Sequence, residues 1–359
     1  MKRKLFNLGI FVSVLIIPYL FLLPGTLTAC TAFTLKRDNQ VFLAKNLDWK
    51  INKGIIIINK KGVSKTAYCK DKKKLSWISR YGSVTFNQFG KEFPLGGMNE
   101  EGLVIEELNS WGDTPKKENK YNVNEFQWTQ FCLDNFANVR ELLESTDSIV
   151  IVPLFINLHY LISDSYGNTA IIEFYNGKSY KYHGDNIPYP ILSNNHYENS
   201  LKYLGEFRGF GGNLEIKPDN TSNERFVKVA SMLRKQEQSQ INTETSFKIL
   251  DYVSQEDTQW SIVYDISNRS IHYKTSNNST IKSIELMALD FTCKTPPSFI
   301  EINNNEKVIN AKSFKKLEPG DNRKLLNVVY NSYKSFSLEE IEKPEFLRLA
   351  EYGNSVKCK

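Results

Sequence analysis

The fold of this chain is decided by the stretch CTAFTLKRDNQVFLAKNLDW at positions 30–49. Positions 31–35 and 41–45 are rich in β-branched, aromatic and aliphatic residues, and the segment between them, 36–40, is polar. Two strand-like runs joined by a short polar turn predict a β-hairpin. Cys30 would begin its first strand.

Further strands extend this pattern along the chain. They are predicted at 55–58, 77–87 and 103–108, in a meander at 158–164, 169–174 and 179–183, and in a second series at 260–266, 270–274 and 280–288. Apolar residues at helical spacing predict amphipathic helices at 124–144 and 225–235, and the tail from Asp321 onward also has a helical pattern. No Pro-rich linker or repeat interrupts this order, so residues 30–359 are interpreted as one α+β domain with stacked antiparallel sheets.

The first 29 residues have the order of a secretory signal peptide. A basic start (Lys2, Arg3 and Lys4) precedes an apolar run at 5–23 and a short segment that ends in Ala29. Such a signal would direct the protein to the periplasm or the medium and would be removed by cleavage after Ala29. The alternative is an uncleaved membrane anchor, because an apolar run of 19 residues can span a bilayer.

Composition and charge exclude several classes of protein. The 359 residues are 41% hydrophobic and 24% charged, as in an ordinary globular protein. Removal of the signal lowers the formal charge from +6 to +3, and no long basic run indicates nucleic-acid binding. The four histidines and five cysteines show no HExxH or CxxC spacing, so neither a metal nor another cofactor is expected. Disulfides among Cys69, Cys132, Cys293 and Cys358 remain possible, with the pairing open.

Cys30 would become the first residue of the mature chain. It would then carry a thiol nucleophile and a free α-amine, whose ordinary pKa of about 7.7 to 8.0 leaves part of it neutral near pH 7. Such an amine can accept the thiol proton directly or through one water. The sequence LTAC at 27–30 also fits the signal for lipoprotein attachment, in which the thiol becomes a thioether. A free thiol nucleophile and a lipid-modified sulfur at Cys30 exclude each other.

Five motifs, in order, resemble the choloylglycine hydrolase family of linear amide C–N hydrolases, which includes bile salt hydrolases and penicillin V acylases. They are CTAF at 30–33, KNLDW at 45–49, NEEGL at 99–103 followed by ELN at 107–109, LSNN at 192–195, and SNERFV at 222–227. The resemblance spans nearly the whole mature chain. Lys45 departs from it, because the family has an arginine there, and lysine keeps the charge but not the planar guanidinium.

The resemblance implies a role for each matched residue. Cys30 would be the nucleophile and Asp48 the carboxylate that holds its α-amine. Asn109 would stabilise the oxyanion through its side-chain N–H. The remaining matches imply that Asn194 positions nucleophile and substrate, that Arg225 is the active-site arginine, and that Lys45 stands in for the family's arginine. His196 is interpreted as structural or as a residue at the rim of the site.

The implied fold is the four-layer αββα N-terminal nucleophile hydrolase sandwich with two antiparallel sheets. The implied function is a cysteine amidase that hydrolyses a linear acyl amide without a cofactor, with homo-oligomers as a further implication of the resemblance. Conjugated bile salts, penicillin V-like compounds and other N-acyl amides all remain open as substrates. Four aromatic residues near the motifs are candidates for an acyl pocket or for the core: Trp49, Phe86, Phe89 and Trp111.

Two other functions are weighed against this one. A lipid-anchored, catalytically silent binding protein with the same fold would use Cys30 as its membrane attachment point. A papain-like protease would pair Cys30 with His159 or His196, but it would not need its cysteine at a cleavage point.

Overall fold

The computed structural model describes residues 30–70, 73–113, 120–236, 240–335 and 342–358. The predicted signal peptide, residues 1–29, lies outside this part of the chain. Within the described residues, no helix combines the length and the hydropathy needed to cross a membrane.

The described chain alternates long runs of strands with a few helices. The strands are β1 (Thr31–Arg37), β2 (Gln40–Asp48), β3 (Ile55–Asn59), β4 (Ser64–Thr66), β5 (Ser76–Ile78), β6 (Ser83–Asn87), β7 (Pro94–Asn99), β8 (Val104–Asn109), β9 (Tyr121–Val123), β10 (Ile149–Ile151), β11 (Leu158–Ser163), β12 (Thr169–Tyr175), β13 (Lys178–His183), β14 (Ile191–Leu192), β15 (Thr258–Asp265), β16 (Ser270–Thr275), β17 (Asn278–Glu285), β18 (Ser298–Glu301), β19 (Val308–Ile309) and β20 (Lys315–Lys316). The helices are α1 (Glu125–Asn135), α2 (Val139–Ser145), α3 (Tyr197–Leu204), α4 (Ser222–Gln236), α5 (Thr243–Tyr252), α6 (Pro319–Ser335) and α7 (Lys343–Ser355).

Two large sheets form the centre of the molecule. One has seven strands in the order β14-β1-β2-β15-β16-β17-β19, and the other has nine in the order β13-β12-β11-β8-β7-β6-β3-β18-β20. Neighbouring strands are antiparallel except for the edge pair β17 and β19. The predicted hairpin is confirmed as β1 and β2, and the predicted meander as β11, β12 and β13.

The two sheets face each other across an apolar core, and helices cover their outer faces. Phe86 of the nine-stranded sheet meets Tyr264 and Tyr273 of the seven-stranded sheet with ring centroids 6.3 and 5.6 Å apart. On the outside, α1 packs on β7 and β8, while α4 and α5 pack on β1, β2, β14 and β15. This is the predicted α+β sandwich with two antiparallel sheets.

The single strand predicted at 77–87 is wrong. The structure has β5 and β6 there, and they belong to different sheets. Between them, the backbone N–H of Ser79 donates to Val63 O, and those of Arg80 and Tyr81 donate to Asp134 O. The backbone hydrogen bonds of these three residues belong to neither sheet. The chain therefore leaves the pairing of β5 with β4 here and enters the nine-stranded sheet at β6.

The single helix predicted at 124–144 is also wrong. α1 ends at Asn135, and Asn138 starts α2 by accepting a hydrogen bond from the Glu141 N–H at 3.0 Å. The Glu141 carboxylate in turn accepts from the Ala137 N–H at 3.0 Å. An asparagine followed three residues later by glutamate is a helix-start signal that apolar spacing alone does not reveal.

The C-terminal segment is held to the sandwich by a disulfide. Cys293 and Cys358 are bonded, whereas Cys30, Cys69 and Cys132 are buried free thiols. The disulfide fixes the end of α7 to the segment that precedes β18, across 65 residues of sequence. It also resolves the pairing that the sequence leaves open.

Candidate active site

Cys30 immediately precedes β1, a strand with hydrogen-bonded neighbours on both sides, β14 and β2. The thiol is buried, with 6% of the residue exposed. Burial raises the pKa of the thiol to about 11, while Lys45, Arg225 and a hydrogen bond from the Asp48 backbone oppose the rise. A buried cysteine beside two cations differs from an ordinary core cysteine.

Lys45 lies on β2 and is fully enclosed in the sandwich. Its Nζ is 2.6 Å from Glu106 Oε2 and donates to Leu95 O at 3.1 Å. Burial alone would lower the pKa of Lys45, but the charges of Glu106 and Cys30 raise it above its ordinary value. The ammonium therefore stays charged and contributes a positive field at the thiol.

Asp48, at the end of β2, is the centre of a second buried network. Arg225 Nη1 lies 3.2 Å from Asp48 Oδ2, and Gln255 Nε2 and the Thr258 hydroxyl donate to the two carboxylate oxygens at 2.9 and 2.5 Å. Burial raises the pKa of Asp48 to about 6, while Arg225 and these two hydrogen bonds hold it down. The carboxylate is thus ionised at neutral pH.

Arg225 connects Asp48 to the two asparagines that the sequence predicts. Its Nη2 donates to Asn194 Oδ1 at 3.2 Å, and Asn194 Nδ2 donates to the backbone oxygen of Asn109 at 2.7 Å. Ser222, the first residue of α4, accepts from the Asn194 N–H at 3.0 Å and so holds this turn against the helix. The chain Asp48, Arg225, Asn194 and Asn109 is therefore continuous in space.

All six predicted site residues come together through these contacts. Lys45, Asp48 and Arg225 act on Cys30 electrostatically, and Asn194 and Asn109 extend the network from Arg225. For Asn109, the contact is made by its main-chain carbonyl group.

Sequence reasoning missed the partners that hold the charged residues. Glu106, on β8, pairs with Lys45 and accepts a hydrogen bond from the Tyr264 hydroxyl at 2.5 Å. The available signal was the adjacent pair Glu106 and Glu107 between the apolar residues Val104, Ile105 and Leu108 of the strand. Gly96 makes room for this carboxylate: a Cβ there would lie 2.3 Å from Glu106 Oε2, and its φ of +155° is one that L side chains rarely adopt.

The two histidines that a papain-like protease would use, His159 and His196, make structural contacts. His159 Nδ1 lies 2.9 Å from Glu173 Oε1, and both residues are buried. His196 packs on the ring of Tyr175 with centroids 4.3 Å apart. Neither contact involves Cys30, so the structure gives no support to a cysteine–histidine protease.

The four aromatic candidates divide into core, cluster and surface. Phe86 is core, between the two sheets. Phe89 and Trp49 both pack against Tyr333, with centroids 6.1 and 5.9 Å away. Trp111 is 54% exposed.

The arrangement suits nucleophilic chemistry by the thiol. Among the described residues, no group of three or more His, Cys, Asp or Glu side chains is placed to hold a metal ion. A thiol beside two cations can become a thiolate, and amide donors nearby can stabilise a negative oxygen.

Similar proteins share this architecture. The chain is 25% identical over 262 residues to a penicillin V acylase of Pectobacterium atrosepticum, which covers 60% of this chain and 69% of that protein. The structure of a penicillin V acylase from Agrobacterium tumefaciens superimposes with a TM-score of 0.71 at 22% identity, covering 81% of this chain and 98% of the other. A variant of the conjugated bile acid hydrolase of Clostridium perfringens superimposes with a TM-score of 0.63 at 20% identity, covering 78% and 98%.

A sequence profile of the choloylglycine hydrolase family, linear amide C–N hydrolases, matches residues 30–299, about three quarters of the chain. The match begins at Cys30 and contains every residue of the networks described above. The protein therefore belongs to the choloylglycine hydrolase family and is a hydrolase of carbon–nitrogen bonds, other than peptide bonds, in linear amides.

Proposed function

We propose that residues 1–29 are removed and that Cys30 then hydrolyses an acyl amide as an N-terminal nucleophile. The observation that carries the proposal is the position of Cys30: its buried thiol immediately precedes β1, at the residue where the family match begins, within the field of Lys45 and Arg225. The expected cleavage point thus coincides with the best candidate nucleophile.

Cleavage would change the chemistry of Cys30. In the uncleaved chain its nitrogen is a peptide nitrogen, which cannot act as a base, and the thiol pKa is about 11. Cleavage would release an α-amine on the same residue, and this amine can accept the thiol proton. The nearby Asp48 carboxylate would stabilise the ammonium that results.

The reaction would then proceed in two stages. The Cys30 sulfur forms a bond to the amide carbon, and the carbonyl oxygen becomes an oxyanion held by amide N–H donors, for which Asn109 and Asn194 are the candidates. As the C–N bond breaks, the α-ammonium returns its proton to the departing amine. Water then attacks the thioester, giving the carboxylic acid and restoring the thiol.

The relatives support a proposal for the class of substrate. The relatives are named for hydrolysis of penicillin V and of conjugated bile acids, both of which join an apolar acyl group to an amine through a linear amide. We propose a substrate of the same construction, with an apolar acyl group.

The lipoprotein alternative conflicts with the burial of Cys30. A diacylglyceryl thioether needs the sulfur at the surface, whereas only 6% of Cys30 is exposed and its neighbours on β1, Thr31 to Phe33, are fully buried. The Cys293–Cys358 disulfide favours an exported protein, because such bonds persist in oxidising compartments, and this is expected under both alternatives.

The test is the intact mass and amino-terminal chemistry of the protein purified from its host's envelope, with and without thiol alkylation. The proposal expects a chain that begins at Cys30, gains one alkyl group there, and releases amine from acyl amides. A diacylglyceryl or acyl adduct on Cys30 would overturn it.

A further inference from the structure

The C-terminal helical pair, α6 and α7, lies beyond the family match, which ends at residue 299. It nevertheless reaches the candidate active site. Tyr333 on α6 packs edge-on against Trp49, with centroids 5.9 Å apart, and Trp49 directly follows Asp48. The pair therefore borders the site from outside the part of the chain that the family profile describes.

Together these residues form an aromatic cluster. Tyr333 and Phe346, one from each helix, pack on Phe89 with centroids 6.1 Å away in both cases, and Phe346 also contacts Phe155 at 5.9 Å. Phe89 and Phe346 are buried and support Tyr333 from behind, whereas Tyr333 and Trp49 are only half-buried and can present their rings to another aromatic ring. The cluster lies next to the residue that would hold the nucleophile's amine.

One polar atom in this cluster points to a bound molecule. The indole Nε1 of Trp49 is buried and has no hydrogen-bond partner among the described residues. Buried N–H groups of tryptophan ordinarily find an acceptor. An oxygen atom of a bound acyl amide would supply one.

The helical pair is anchored firmly enough to act as a wall. Lys91 Nζ donates to Val356 O at 2.6 Å, and the Lys91 N–H donates to Asn322 Oδ1 at 2.9 Å. The Cys293–Cys358 disulfide fixes the end of α7. Lys91 lies in the same β6–β7 loop as Phe89. The loop that anchors the helical pair therefore also carries one ring of the aromatic cluster.

We propose that the C-terminal helical pair, through Tyr333 with Phe346 packed behind it, forms one wall of the acyl-binding site and selects aromatic acyl groups. This inference rests on the proposed function, because it assigns the acyl side of the same reaction. It makes Tyr333 a specificity-determining residue.

The test compares three 4-nitroanilides, with acetyl, hexanoyl and phenylacetyl groups, in the mature protein and in Tyr333→Leu. The expected result is about a tenfold fall in the ratio of kcat/KM for phenylacetyl over hexanoyl. The acetyl substrate, which is too short to reach the cluster, should change less than twofold. Tyr333→Phe keeps the ring and should restore the phenylacetyl preference.

Tyr352→Leu is the matched control. Tyr352 lies on α7 and loses the same kind of contacts, but it packs on Tyr68 and Phe93 and donates to Thr66 O at 2.7 Å. A structural disturbance of the helical pair would affect both leucine variants alike. An unchanged acyl preference in Tyr333→Leu, or the same shift in Tyr352→Leu, would overturn the inference.

Failure of the proposed function gives a different result. If the mature protein hydrolyses none of the three anilides, the proposed function fails, and calorimetric titration with phenylacetate and acetate then tests the wall alone. Phenylacetate binding that weakens about tenfold in Tyr333→Leu would support the wall, and equal binding to both proteins would overturn it.

Discussion

Cys30 and Cys132 are both buried free thiols, yet their electrostatic surroundings are opposite. Lys45 and Arg225 lower the pKa of Cys30 against the effect of burial, and the result is about 11. For Cys132, on α1, burial and the charge of Asp134 both raise the pKa, well above the ordinary value. Asp134 is itself bound to a cation, Lys65, which is paired with Glu92 and Asp134 at 2.7 and 2.8 Å.

The difference shows what distinguishes a candidate nucleophile in a buried site. Burial alone makes a thiol inert, because desolvation opposes the thiolate. In the Lys65 cluster both carboxylates bind Lys65, and Lys91 lies 3.5 Å from one of them, Glu92, so the positive and negative charges balance within the cluster. Around Cys30, Lys45 has one carboxylate partner, Glu106, and the thiol is its next titratable neighbour. The same residue types thus give a charge-balanced cluster in one place and a candidate nucleophile beside two cations in the other.

The largest expected effect comes from removing the two thiols separately. Cys30→Ala should lower kcat/KM on an acyl amide by about 10⁴-fold or more, because no other group can form the thioester. Cys132→Ala should keep activity per folded molecule within a few-fold. Steady-state kinetics with circular dichroism to confirm folding makes the comparison, and full activity in Cys30→Ala would contradict the mechanism.

The pH dependence of alkylation sharpens the same comparison. In a chain whose cleavage is blocked by Ala29→Arg, a Cys30 pKa of about 11 leaves about one thiol in 4,000 as thiolate at pH 7.4. Its alkylation rate should rise about tenfold per pH unit up to about pH 11. The mature protein should react about 10- to 1,000-fold faster at pH 7.4, because the α-ammonium that cleavage creates is a further positive charge beside the thiol and lowers its pKa.

Mass mapping of iodoacetamide adducts measures both thiols in one experiment. Cys132 should remain unmodified at every pH at which the protein stays folded. Equal alkylation of Cys30 in the blocked and mature chains would remove the role given to the amine.

Substitution of Lys45 should mainly reduce activity, whereas substitution of Lys65 should mainly reduce stability. Lys45→Met is expected to reduce kcat/KM by about 10²–10³-fold through loss of the positive charge beside the thiol. Its cost in stability should be the smaller of the two, because it leaves one carboxyl without its ammonium and the raised pKa of Glu106 lets that carboxyl take up a proton. Lys65→Met removes the cation that two buried carboxylates share, of which Lys91 reaches only Glu92, at 3.5 Å, and should lower the free energy of unfolding by about 3–5 kcal/mol.

Urea denaturation and kinetics on both methionine variants measure this separation. Adding Glu106→Gln to Lys45→Met should recover stability without recovering activity. Similar stability losses in the two single variants would show that the regions do not differ in the way described.

The smallest effect concerns the oxyanion. Asn109→Ala should reduce kcat about a hundredfold with little change in KM, since an oxyanion donor acts mainly in the transition state. Asn157→Ala is the control, because its Nδ2 makes an ordinary structural hydrogen bond to Gly112 O at 2.8 Å. A rise in KM with unchanged kcat for Asn109→Ala would instead assign Asn109 to substrate binding.

Much of the fold could be predicted because period-2 patterns and turn residues are local signals. The β1–β2 hairpin and the β11–β13 meander follow from them directly. The change of partners that begins at Ser79 could not be predicted from apolar spacing, because it depends on backbone partners such as Asp134 O that are distant in sequence. A helix cap at Asn138 was readable, but only from its pairing with Glu141.

The site divides in the same way. Cys30, Asp48 and Arg225 were predicted through motifs, and the structure brings them together. Glu106, Gln255 and Thr258 were missed, because a residue that acts by holding another side chain carries no motif of its own. Its role depends on three-dimensional register, as when β8 places Glu106 beside Lys45.

The strand order has one more consequence, for handling the mature protein. An amino terminus is usually a frayed end where tags and extra residues do no harm. With Cys30 next to a strand paired on both sides, the new terminus would instead be among the most rigid points of the chain. A single leftover residue before Cys30, such as an unprocessed initiator methionine, would leave the fold intact and yield a silent protein.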